Sequence, residues 1–130
     1  MSQLIEGVRI NREELAWAAG LFDGEGHTRA RKNGTNGTYA LTLSLDLANQ
    51  DVLERFHKAV WNLGTLRGPY SRKRQSNKPL WRWQATKFEY AQAIIAAIWS
   101  FLSPPKKEQI KSAIETYNSQ PHPGKGRGKG

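Results

Sequence analysis

Two carboxylates close a run of small residues, Ala18-Ala19-Gly20-Leu21-Phe22-Asp23-Gly24-Glu25-Gly26. Small residues at 16, 18, 19 and 20 would let a second helix backbone approach closely. Gly24 and Gly26 free the chain to turn and leave Glu25 exposed at a helix C-terminus. A carboxylate there faces the negative end of the helix dipole, which costs a few tenths to about 1 kcal/mol. A bound divalent cation would offset that cost. Taken alone, the pattern also reads as a glycine C-cap followed by a solvated acid.

The second chemical signal is charge. The 130 residues carry 20 Lys and Arg against 11 Asp and Glu, a net charge of +9. Such an imbalance costs self-repulsion and points to a polyanionic partner. Its distribution is uneven. Seven basic residues (Arg67, Arg72, Lys73, Arg74, Lys78, Arg82, Lys87) lie between Thr65 and Phe88 without an acid, and Arg29, Arg31 and Lys32 lie between His27 and Leu45 without one. The chain has no cysteine, which excludes disulfides and thiolate zinc sites and is compatible with a reducing compartment. The longest apolar stretch, Ala91 to Leu102, is interrupted by Gln92 and Ser100 and is too short to span a bilayer. No basic-then-apolar signal precedes Glu6, so secretion is not expected.

These groups need elements to position them. Asn11 caps a helix predicted over 11–24, with Glu14 completing a capping box and Leu15, Ala18, Ala19 and Phe22 at helical spacing. A short polar strand follows over 27–33, then a turn-rich segment. Tyr39-Ala40-Leu41-Thr42-Leu43-Ser44-Leu45-Asp46-Leu47 alternates apolar and small or polar residues, the period-2 pattern of a sheet with one wet face. A second helix is predicted over 50–63, ended by Gly64, and a third strand over 65–70. Ser71 to Pro79 reads as a basic loop and Leu80 to Thr86 as a fourth strand. Thr86 to Glu89 forms a capping box that opens an apolar helix running to about Leu102. Ser103 and Pro104 restart a helix striped by Ile110, Ala113, Ile114 and Tyr117.

This order predicts an α+β domain over residues 1–119, an antiparallel four-stranded sheet with helices on one face, and a disordered Gly/Lys/Arg tail over 120–130. Trp81 and Trp83 read as core rather than as stacking platforms. The opposite face would carry Arg29, Arg31, Thr42, Ser44, Asp46, Arg82 and Gln84, side chains able to read base edges in a major groove. Lys32, Arg67, Arg72, Lys73 and Arg74 complete the expected DNA-binding set.

The nonapeptide 18–26 resembles the signature of the LAGLIDADG homing endonucleases. Ala19, Gly20, Leu21, Asp23 and Gly26 match it, Ala18 and Phe22 stand for leucine and isoleucine, Gly24 replaces alanine, and Glu25 replaces the second aspartate. The resemblance extends to the αββαββα order over residues 10–118 and implies a saddle-shaped sheet. One motif in a short chain implies the homodimeric branch, with the motif helix at the dimer interface through Ala16, Ala19, Gly20 and Asp23. It implies Mg²⁺, with Mn²⁺ able to substitute, held by Glu25 and the Gly24 carbonyl, since hard oxygen donors suit that ion. It further implies a water-orienting polar residue at Asn49 and a pocket lysine at Lys106, with Lys107 as rival.

Asp23 is expected to cap and hydrogen-bond rather than touch metal. No separate general base stands out, and His27, His57 and His122 are left unassigned. The expected function is an intracellular, Mg²⁺-dependent homodimer that cuts both strands of a long, roughly palindromic double-stranded DNA site. No membrane or small-molecule substrate is expected. Two alternatives remain: a protein of the same fold that binds DNA or RNA without cutting, as a regulator or splicing helper, and a basic structural or ribosome-associated protein.

Overall fold

The computed structural model describes residues 2–5, 8–32, 37–71 and 78–120, and of residues 2–5, 8 and 9 the backbone only. Its elements are β1 (Ser2–Ile5), β2 (Val8–Asn11), α1 (Arg12–Glu25), β3 (His27–Lys32), β4 (Tyr39–Leu47) and α2 (Gln50–Ala59). They continue with β5 (Thr65–Tyr70), β6 (Leu80–Ala85), α3 (Phe88–Ile98), a 3-10 turn at Trp99–Phe101 and α4 (Pro104–Asn118). The order from α1 onward is the expected one. The β1–β2 hairpin, a separate two-stranded sheet, was not expected.

Asn11 caps α1 as its sequence context suggests, accepting the Glu14 N–H at 3.0 Å. The capping box is not completed. The Glu14 carboxylate instead takes the Arg55 guanidinium at 2.9 and 2.7 Å, and that pairing holds its pKa below the ordinary value. Arg55 also lies 3.8 Å over the Trp17 ring, so α1 and α2 are tied on their outer sides. Three other boundaries differ from expectation. Helix α2 stops at Ala59, where Trp61 and Asn62 reverse the chain at φ 61° and 60°. Lys87, not Thr86, precedes α3, and no side chain caps that helix. Helix α3 gives way to the 3-10 turn after Ile98.

The main sheet has the order β3-β4-β6-β5, with every neighbouring pair antiparallel. Alternation along β4 sends Leu41, Leu43 and Leu45 into the core. There they meet Leu15, Ala18, Ala19 and Phe22 of α1, Leu53 and Phe56 of α2, Ile94 and Ile98 of α3 and Ile110 of α4. Trp83 is fully buried at the centre, edge-on to Phe56 with ring centroids 4.7 Å apart, and its indole N–H donates to the Leu63 carbonyl at 3.0 Å. Trp81 is only partly buried. Burying each large apolar side chain contributes about 1.5–3 kcal/mol, which fixes the helices on one face and leaves the other free. Among the described residues no helix is long and apolar enough to cross a membrane.

Candidate active site and nucleic-acid interface

The free face of the sheet is a shallow polar trough lined by His27, Arg29, Arg31, Thr42, Ser44, Asp46, Arg82 and Gln84. Its order follows from strand register. Ser44 pairs with His27 on one side and Gln84 on the other, and Gln84 in turn with Thr65. The next row is Asp46, Arg82 and Arg67, and Arg29 pairs with Thr42. Each row therefore sets side chains from separate strands about 5 Å apart. Asp46 accepts the Arg82 fork, Nε at 2.8 Å and Nη2 at 2.9 Å, which raises the Arg82 pKa. The Tyr70 ring lies 5.4 Å from the Arg82 guanidinium.

The sequence-derived face is thus largely assembled, with three adjustments. Thr42 is on it but only 8% exposed, so little of it can touch a ligand. Lys32 follows Arg31 at the strand end, with alternation setting it opposite Arg29 and Arg31. His27, left unassigned from sequence, lines the trough; its parity with Arg29 was the readable signal. Thr65 was missed for want of a known partner strand. Arg72, Lys73 and Arg74 lie outside the described residues, as do His122 and residues 121–130.

One end of the face runs straight into the motif. Helix α1 ends at Glu25, which is exposed, and Gly26 hands the chain to His27 of the trough. Gly26 is buried, its N–H donates to the Phe22 carbonyl at 2.8 Å, and a Cβ on it would lie 2.3 Å from the Phe22 ring. The start of α4 closes against this corner by two contacts. The Asp23 carboxylate accepts both the Ser103 N–H and hydroxyl at 2.8 Å, which hold its pKa down. The Lys106 ammonium, on a side chain 7% exposed, donates to the Gly26 carbonyl at 2.8 Å and the Gln109 side-chain oxygen at 3.1 Å. Lys107 instead reaches over Trp99, its ammonium 5.5 Å from the ring. Gln109, three residues from Lys106 on one helix face, could have been read as its neighbour.

Asn49 is exposed and is the N-cap of α2, its oxygen accepting the Val52 N–H at 3.1 Å. Ala19 is fully buried in its own core and offers no side chain to a second copy, while Asp23 accepts its two bonds from Ser103 through one oxygen. Ala16, Gly20 and Gly24 remain on the outer side of α1, and a Cβ on Gly20 or Gly24 would meet nothing within 4 Å. His57 is structural, 3.1 Å from the Gly64 carbonyl.

The donor set fits a hard divalent cation: the exposed Glu25 carboxylate and the carbonyl of the adjacent, exposed Gly24 are both oxygen donors. Among the described residues no three His, Asp or Glu side chains gather to hold a metal.

No protein-family model matches the sequence, and no curated protein does. Solved structures do match it in fold. The homing endonuclease I-CvuI, in complex with its target, superposes with a TM-score of 0.64 at 16% identity, over 86% of this chain and 70% of that one. The LAGLIDADG meganuclease I-AabMI, bound to uncleaved DNA, gives 0.62 at 19% identity over 84% of this chain. The LAGLIDADG homing endonuclease I-GzeII, in complex with a DNA target, gives 0.59 at 20% identity over 85%. The chain spans only 36% and 37% of the length of the latter two. At these identities the likeness is one of architecture, and the chain has the LAGLIDADG homing endonuclease fold.

Proposed function

We propose that the chain is one subunit of a site-specific DNA endonuclease that hydrolyses phosphodiester bonds on both strands of a long, roughly palindromic site. The observation that carries this reading is the junction at Gly26. There an exposed motif acid, a buried lysine brought in from α4 and the start of an arginine- and glutamine-bearing sheet face meet at one corner. Mg²⁺, or Mn²⁺ in its place, held by Glu25 and the Gly24 carbonyl would supply Lewis-acid activation of the phosphate.

The chain's own residues do the rest. The sheet face lies in the major groove and sets the register. Lys106, with two of its three N–H groups on Gly26 and Gln109, presents the third toward the attacking water or the departing oxygen. The open glycine stripe on α1 favours a homodimer whose two motif helices pack at Gly20.

The test is Glu25→Gln on a randomised plasmid library in Mg²⁺. Cutting should fall by at least about 10²–10³-fold, with DNA affinity held within a few fold. Retained Mg²⁺-dependent cutting would remove Glu25 from the reaction, and a wild-type chain that binds a site without cutting would leave a binding protein.

A further inference from the structure

Asp46 is the acid on a face otherwise built of cations and neutral polar groups, and its carboxylate grips Arg82 through Nε and Nη2. Stability does not account for it. The two side chains are 34% and 46% exposed, and pairs of that kind contribute about 0–1 kcal/mol. Nor does phosphate attraction, because a carboxylate on a DNA-facing surface repels the backbone and weakens the arginine's pull on it. What the fork does provide is orientation. It occupies two of the five guanidinium N–H groups and leaves three, including both on Nη1, with the Tyr70 ring 5.4 Å from the guanidinium carbon. The free edge of a planar guanidinium matches the paired O6 and N7 acceptors of guanine, whereas a phosphate contact needs charge and not a fixed plane.

Resting on the DNA-reading function proposed above, we infer that Asp46 is a positioning residue which presents Arg82 to one guanine per bound subunit. It gives up general affinity for DNA in exchange for discrimination at that base.

The experiment selects bound sequences from a randomised duplex library with the wild-type chain, Asp46→Ala and Arg82→Lys. Wild type should enrich guanine at one position per bound subunit. Both variants should flatten that position by about tenfold to a hundredfold and leave the others sharp. Their effects on unselected DNA should differ. Asp46→Ala removes a negative charge and binds random DNA more tightly, while Arg82→Lys keeps the charge and so the salt dependence. A purely structural role for the pair would not confine the loss to one guanine position, and thermal unfolding of each variant should match wild type because the pair is exposed.

Asp46→Ala that leaves the guanine position sharp, or flattens every position equally, overturns the inference. A wild-type chain that enriches no sequence overturns the proposed DNA-reading function along with it, a result distinct from either.

Discussion

At the corner between α1 and α4 the polar groups beside Glu25 are already held by the chain itself. Asp23 accepts two bonds from Ser103, Gly26 is bonded through both its N–H and its carbonyl, and Lys106 is buried among them. Two residues further along begins the sheet face, where Arg29, Arg31 and Arg67 make no ion pair with other described residues. The corner is preorganised and the face is displayed. The difference follows from what each has to do: misplacing a reacting group by about 1 Å can cost 10²-fold in rate, whereas a reading surface needs exposed donors and acceptors on a rigid frame. Substitutions at the corner should therefore remove the reaction, and substitutions on the face should redirect it.

The largest effect should come from Lys106→Met, which keeps the buried stem and removes the ammonium. Cutting should fall by about 10²–10³-fold, and thermal unfolding should show about 1–3 kcal/mol lost because the Gly26 carbonyl loses its donor. Undiminished cutting would mean that this lysine is only a strut.

Gly20→Leu asks whether the displayed outer side of α1 belongs to a second copy. Within one subunit a Cβ at this position meets nothing within 4 Å, and replacing a helical glycine should gain up to about 1 kcal/mol. Sedimentation should nevertheless show monomers, with cutting lost and the subunit's own fold intact. An unchanged dimer would place the interface elsewhere.

On the face, Gln84→Ala should cost about 1–3 kcal/mol of discrimination at one target position, measured by competition between matched and mismatched duplexes. Cutting of a saturated, matched site should be unaltered. A drop in that rate instead would show the two regions to be less separate than their contacts suggest.

The smallest effect concerns pH. Bonds from Ser103 lower the Asp23 pKa, so its contribution to stability is complete above the ordinary carboxylate range and is lost as pH falls through the lowered value. Asp23→Asn keeps an oxygen acceptor and cannot titrate. Urea unfolding from neutral to strongly acidic pH should show a shallower acid decline in that variant; equal declines would assign the acid sensitivity to other groups.

Much of this was readable from residue order. The alternation in β4 placed its Leu41–Leu45 face inward and its Ser44 and Asp46 face outward, and parity alone gathered Arg29, Arg31, Arg82 and Gln84 on one side. What escaped reading depends on distance along the chain. The Asp46–Arg82 fork spans 36 residues and exists because β4 and β6 are neighbours in a particular register. The Asp23–Ser103 and Lys106–Gly26 contacts each span 80. Glu14 fits a capping box, yet a guanidinium 41 residues away takes its carboxylate. The capping of α2 by Asn49 is local and still went unread. The four-residue strands of the first hairpin are too short for alternation to register.

The contact between Gly26 and Phe22 bears on how this site could change over generations of variants. A methyl group on residue 26 would collide with the ring of residue 22, whose neighbours in the core leave it no room to withdraw. The size of one side chain inside the subunit thus dictates the absence of another at the edge of the chemistry. A variant library should recover Gly26→Ala chiefly alongside a smaller residue at 22, so the two positions drift as a couple, and the motif acid moves only when the core lets it.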